Sequence, residues 1–296
     1  MTGEIIGLYQ RIPENINPAA FSIFGFSVRW YSLMYLIGIG IVYLLLCYRI
    51  KNQELRIKDK IGNCPPKADP PRAEKLEIGN LILYSFIGLL LGARLGYAFF
   101  YDFKYFLNNP IAIVSPFDEA GNIVGIYGMS YFGGLIGVVF SGWLYSMKKK
   151  INFRQLADFV IPAVPAGYFF GRIGNFLNGE LYGRPTGRTW GMYFPSDPLG
   201  ILRHPSQLYE AFFEGMVLFL ILWIIRNKFA GKFGYLFAFY LFGYGFFRFF
   251  IEFFRESGPQ IKLIFDFLTR GQIFSVILVV AAALIVNSCK FDKNEL

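Results

Sequence analysis

An all-α, polytopic membrane protein of about seven transmembrane helices is what this sequence predicts. Three observations carry that expectation. Hydrophobic residues fill 55% of the 296 positions and charged residues 17%, whereas a soluble domain carries about 25% charged residues. The apolar residues gather in blocks of about 20, the length at which a helix crosses the hydrocarbon core. Basic residues gather in alternate connections between the blocks, as in a chain with one cytoplasmic side.

The spans are expected, in order, at Val28–Tyr48, Ile78–Phe100, Ile126–Met147, Phe159–Leu177, Leu208–Ile225, Phe233–Phe254 and Gly271–Cys289. Pro162 and Pro165 interrupt the start of the fourth and free backbone carbonyls, which neighbouring helices or water must satisfy. The connection after the first span holds Arg49, Lys51, Arg56, Lys58, Lys60, Lys67, Arg72 and Lys75; that after the third holds Lys148, Lys149, Lys150 and Arg154. Arg226, Lys228 and Lys232 follow the fifth, and Lys290 and Lys293 follow the seventh. Only Lys104 follows the second. With seven spans the basic segments share one side, so the N-terminus is expected outside and the C-terminus in the cytoplasm.

The net charge of +9 is accounted for by these orientation signals and by the anionic headgroups of the inner leaflet. No nucleic-acid motif accompanies it, so no nucleic-acid partner is expected. No basic n-region runs directly into the first apolar block and no small-residue cleavage site follows it, so the first span is read as uncleaved. Cys47, Cys64 and Cys289 all fall toward the cytoplasmic side, so neither an external disulfide nor an outer cysteine nucleophile is expected.

One membrane-embedded domain over residues 1–296 is expected, with a mobile cytoplasmic loop at 51–76 containing Pro65, Pro66, Pro70 and Pro71. An outer loop at 178–207 carries Tyr182, Trp190, Tyr193 and Phe194, aromatics that suit a membrane-resting segment. Gly88, Gly92 and Gly96 in the second span, and Gly133, Gly134 and Gly137 in the third, predict a close helix–helix approach. No internal repeat is visible, which argues against the repeat-built transporters.

Charged groups lie where apolar ones are expected: Arg94, Arg172, Glu180, Glu210, Glu214, Arg248, Glu252 and Arg255. Each costs about 2.5–3.5 kcal/mol at the bilayer centre on insertion scales, so they require partners, water or a ligand. The densest run is Gly171 to Arg184. Arg172 and Asn175 are three apart and share a helical face that Asn178 continues. The glycines let a bulky ligand approach the backbone, and arginine presents a fork of donors that matches a phosphate. In the second run, Gly243 to Arg255, Arg248 and Glu252 are four apart and can pair. A purely structural hydrogen-bond network and a structural salt bridge are the alternatives. The third run, Arg203 to Glu210, contains the single histidine, His204, which excludes a histidine-cluster zinc site. Tyr31, beside Arg29 and Trp30, and Tyr97, near Arg94, read from position alone as interface anchors.

Together, Gly171 to Arg184, His204-Pro-Ser-Gln-Leu-Tyr-Glu210 and Arg248 to Arg255 resemble bacterial prolipoprotein diacylglyceryl transferase. The likeness extends to Arg29-Trp-Tyr-Ser-Leu-Met-Tyr35, Gly92-Ala-Arg-Leu-Gly-Tyr97 and Gly128-Met-Ser-Tyr-Phe-Gly-Gly134, in order along nearly the whole chain. The resemblance implies a seven-helix fold in the bacterial cytoplasmic (inner) membrane, with its active site toward the outer side. It implies transfer of the diacylglyceryl group of phosphatidylglycerol to the thiol of a lipobox cysteine in a prolipoprotein signal peptide. It implies no metal and no organic cofactor. Carried over position by position, Arg172 contacts the phosphatidylglycerol headgroup, Asn175 and Gly183 belong to the same signature, Arg248 and Glu252 form a second essential pair, and Tyr31 is the essential tyrosine. The candidate catalytic residues are thus Arg248, Glu252, Tyr31 and Asn175. The candidate substrate-binding residues are Arg172, Asn178, Glu180, Gly183, Arg94, His204 and Arg255. Many relatives have a histidine just before the paired glycines; Phe132 stands there, and a phenyl ring neither takes nor gives a proton, so no general base is assigned. An anionic-lipid transporter and a non-catalytic lipid-binding relative are the competing readings.

Overall fold

The computed structural model describes residues 2–23, 26–60, 76–100, 103–113, 115, 128–229, 232–256 and 268–291. In chain order the α-helices are α1 (Thr2–Gln10), α2 (Trp30–Lys60), α3 (Ile78–Phe100), α4 (Phe103–Asn108), α5 (Tyr131–Lys149), α6 (Phe153–Val160), α7 (Val164–Leu177), α8 (Ser206–Glu210), α9 (Leu218–Ile225), α10 (Tyr235–Ile251) and α11 (Arg270–Phe291). The chain is a mostly helical, multi-pass membrane protein. Among the described residues, five segments are long and apolar enough to cross a bilayer: Trp30–Asn52, Ile78–Phe99, Phe153–Leu177, Ser206–Ile225 and Gly271–Cys289. α5 and the shorter apolar α10 occupy the remaining two regions where spans are expected. A small antiparallel ribbon, β1 (Ala19–Ile23) against β2 (Phe26–Arg29), precedes α2. α2 continues to Lys60, into the stretch where a loop is expected from residue 51; most of the rest of that loop, with Cys64 and its prolines, lies outside the described residues.

Two compact units make up the chain: Met1–Leu55, Asp59–Pro70 and Ala157–Leu296 form one, and Arg56–Lys58 and Pro71–Leu156 the other. In the second unit α3 packs on α5 through glycines. A methyl group on Gly96 would lie 2.7 Å from Cα of Gly133, and one on Gly137 would lie 2.9 Å from Cα of Gly92. Backbones this close leave no room for side chains, and dispersion between them replaces the hydrophobic drive that lipid does not supply. Ser130 caps α5 by accepting the Gly133 N–H at 3.2 Å.

The first unit is shaped by helix interruptions. The fourth span begins at Phe153, six residues earlier than the prolines suggest, as α6. A single 3₁₀ turn at Ile161–Ala163 absorbs Pro162 before α7 resumes, as expected where proline removes a helical hydrogen bond. Asp158 at the end of α6 ties this span to α10: its carboxylate accepts the Gly234 N–H at 2.7 Å and the Phe237 N–H at 2.8 Å, orphan donors at a helix start. The fifth span opens as α8, widens into a π-helical stretch over Ala211–Val217 and closes as α9. Such bulges concentrate at functional sites.

Replacing Gly137 with valine forces α3 and α5 apart and destabilises by about 1–3 kcal/mol, read as a lower midpoint of unfolding in detergent. Gly142→Ala, whose methyl meets nothing nearer than 3.9 Å, shifts the midpoint by no more than about 0.5 kcal/mol.

Candidate active site

α7 carries the first half of the site. Arg172 Nη1 donates to Asn175 Oδ1 at 3.2 Å, and Asn175 Nδ2 donates to Glu180 Oε1 at 2.9 Å. The shared face read from the spacing is therefore present. The helix stops at Leu177, and Gly179 turns the chain with φ +68, a left-handed conformation that glycine adopts without steric cost. The turn brings the Glu180 N–H back to Asn175 O at 3.0 Å, while Glu180 O accepts Gln207 Nε2 at 2.6 Å. Asn178 caps α7 through its own N–H to Gly174 O at 3.0 Å.

The second half comes from α10 and the turn after it. Arg248 Nη2 lies 3.2 Å from Glu252 Oε2, so the pair expected at four-residue spacing forms. Thr269 Oγ1 donates to Glu252 Oε1 at 3.2 Å. A methyl group on Gly271 would lie within 2.6 Å of Glu252 Oε2, so only glycine there leaves space for the carboxylate.

What joins the halves is Glu210. Its carboxylate is 0% exposed and lies 2.8 Å from Arg172 Nε, 3.2 Å from Arg248 Nη1 and 3.3 Å from Arg255 Nε. Tyr168 O–H reaches both Glu210 and Glu214, and its ring lies under the Arg172 guanidinium, 4.8 Å from centroid to carbon. Three arginines from two separate stretches of chain thus surround one buried carboxylate, where electrostatic interactions are strong. Glu210, Glu214 and Tyr168 are absent from the candidate set read from sequence. The available signal was two acids four apart in an apolar span, which no packing requirement explains.

A rim of backbone pairing covers this cluster. Gly183 N–H donates to His204 O at 2.8 Å, and Arg184 N–H to Phe254 O at 2.8 Å. A methyl group on Gly183 would lie 2.8 Å from both Cβ and O of His204, so the glycine of the signature is required by the close approach of these strands. His204 Nδ1 meets Tyr209 Oη at 3.1 Å, and its ring packs on Phe254. Burial, with the nearby Arg188 charge, lowers the His204 pKa below its ordinary value.

Arg203 anchors the loop between α7 and α8. It is 3% exposed and holds Asp197 by two bonds of 2.8 Å, with Glu256 at 2.9 Å and the Tyr182 ring beneath it. The Arg203 guanidinium pulls the Asp197 carboxyl below the usual carboxylate range. Phe194 is buried with Phe176 and Met192 and stacks on Tyr182 at 5.3 Å, while Trp190 stays exposed. Burying phenyl surface against the loop's own core gains the transfer free energy that a bilayer contact would otherwise supply.

Tyr31 donates to Tyr35 Oη at 3.0 Å. Its backbone packs against α7, since a methyl group on Gly174 would meet Tyr31 Cα at 3.3 Å; this places it one residue from Asn175 along the helix. Arg94 belongs to the other unit, where it donates to the carbonyls of Ala112 at 2.6 Å, Ile113 at 2.8 Å and Gly128 at 3.2 Å. Tyr131 and Phe132 open α5, and their side chains lie outside the described residues.

The sequence has counterparts among known proteins. Residues 18–287 match the prolipoprotein diacylglyceryl transferase family. The chain belongs to that family. A Chlorobaculum tepidum protein named phosphatidylglycerol–prolipoprotein diacylglyceryl transferase is 46% identical over 277 residues, covering 92% of this chain and 90% of the relative. A Rickettsia felis protein of the same name is 43% identical over 277 residues, covering 93% and 97%. One from Coxiella burnetii is 40% identical over 269 residues, covering 90% and 92%. Arg203 and Asp197 are a buried structural pair. Arg203→Ala leaves the buried Asp197 carboxylate without its counter-ion and destabilises by about 3–5 kcal/mol, measurable as a lower unfolding midpoint; Asp197→Asn, which leaves Arg203 paired with Glu256, costs less.

Proposed function

We propose that this chain transfers the diacylglyceryl group of phosphatidylglycerol to the thiol of the lipobox cysteine in the signal peptide of prolipoproteins. It would act as one membrane-embedded transferase domain of seven spans in the bacterial inner membrane, N-terminus outside, with its site toward the outer face. Family membership supports the reaction, and the gathering of Arg172, Arg248 and Arg255 on Glu210 is the observation that carries it at the level of chemistry.

In this reaction the thiolate sulfur bonds to the glyceryl carbon as the carbon–oxygen bond to phosphate breaks. The bonding pair leaves on the phosphate oxygen of glycerol phosphate. Negative charge grows on that oxygen, so fixed donors aimed at it in a water-poor site lower the barrier. Guanidinium forks match the phosphate oxygens in pairs. A thiol with an ordinary pKa of about 8.5 ionises more readily beside such cations, so the arginines assist both nucleophile and leaving group. The nucleophile itself comes from the substrate peptide. In this reading Arg248, Glu252, Tyr31 and Asn175 act in catalysis. Arg172, Asn178, Glu180, Gly183, His204 and Arg255 hold the lipid, and Arg94 provides a further substrate contact.

Arg172→Ala and Arg248→Ala should each lower transfer of lipid label onto a lipobox peptide by about 100-fold or more. Turnover near that of the parent protein, at matched expression, would sink the assignment of that arginine.

A further inference from the structure

Tyr168 and Glu214 stand inside the arginine cluster without a part in the reaction proposed above. The Tyr168 hydroxyl lies 3.2 Å from Glu210 Oε2 and also contacts Glu214 Oε2. The tyrosine ring is fixed from both sides, by the Arg172 guanidinium at 4.8 Å and by the edge of Tyr244 at 5.9 Å. Glu210 and Glu214 are 0% and 1% exposed. A phenol has one proton to donate, and here it touches two carboxyl groups.

The two carboxyl groups are unequally served by cations. Glu210 has Arg172, Arg248 and Arg255 within 3.3 Å. Among the described residues Glu214 has only Arg248 Nη1 as an ion-pair partner, at 3.9 Å, and that nitrogen is already 3.2 Å from Glu210. Among the described residues Glu214 Oε1 makes no hydrogen bond. A buried carboxylate without a bonded cation is costly and takes up a proton instead. With a proton on Glu214 every donor is used once: Glu214 donates to the Tyr168 oxygen, and Tyr168 donates to Glu210.

We infer that Glu214 is held as the neutral acid and that Tyr168 is a positioning residue, carrying a hydrogen bond from Glu214 to Glu210 and fixing Glu210 among the arginines. The part of Tyr168 in turnover rests on the transferase reading; the protonation state of Glu214 does not.

Infrared spectroscopy of the purified full-length protein in lipid nanodiscs at neutral pH tests it. The expected result is a protonated-carboxyl C=O band that moves in D₂O, disappears in Glu214→Gln and rises in frequency in Tyr168→Phe, which removes its hydrogen-bond partner. No such band in the parent protein, or a band that survives Glu214→Gln, overturns the inference. If Glu214→Gln does not fold, the frequency in Tyr168→Phe decides, and an unchanged band overturns it. In the transfer assay, Tyr168→Phe should lower turnover about 10-fold while leaving the KM for lipid unchanged, and Tyr168→Leu, which also loses the ring beneath Arg172, should lower it further. A parent protein that transfers no lipid rejects the transferase reading and leaves the infrared result standing.

Discussion

A single buried carboxylate, Glu210, holds the candidate site together. Arg172 on α7, Arg248 on α10 and Arg255 beyond it have no direct pairing with one another, and each would be costly alone at membrane depth. Glu210 gives all three a common partner. Because removal of one member of a buried ionic group strands the others, this contact constrains four helical segments at once: α7, α8, α10 and, through Glu252 and Thr269, the start of α11.

The irregular backbone near Glu210 follows from that constraint. α7 must end beside the cluster so that Glu180 can return to Asn175, and Gly179 supplies the left-handed turn. The fifth span must present Glu210 and Glu214 to the same tyrosine, and its π-helical stretch begins at the residue after Glu210. Two prolines break the fourth span between α6 and α7, and Asp158 bonds it to the start of α10. Non-helical or distorted backbone at this depth is tolerated where protein satisfies it, and the backbone pairing of Gly183 with His204 and of Arg184 with Phe254 does so here.

Local spacing was a sound guide wherever the interaction is local. Arg172 with Asn175 and Arg248 with Glu252 are neighbours because three- and four-residue separations place side chains on one helical face. The close approach of α3 and α5 is equally legible, since only small residues in register allow it. The signal failed where partners lie far apart in sequence. Glu210 is one of several charges in the spans that require a partner, and nothing local marks Tyr168 among the aromatics around it. Phe194 looked interfacial because composition cannot tell a ring resting in lipid from one folded into its own loop.

By itself, then, the sequence determined the class of molecule, the approximate course of its helices and the residues that are too polar for their place, because hydrophobicity, helical periodicity and the cost of buried charge act along the chain. Tertiary structure decided which of those polar groups meet. The approach of residues 172, 210, 248 and 255 depends on where helices end, kink and widen, and on the packing of segments dozens of residues apart. Two arginine-centred halves were legible in the order of residues; the carboxylate that makes them one site became visible only when the chain was folded.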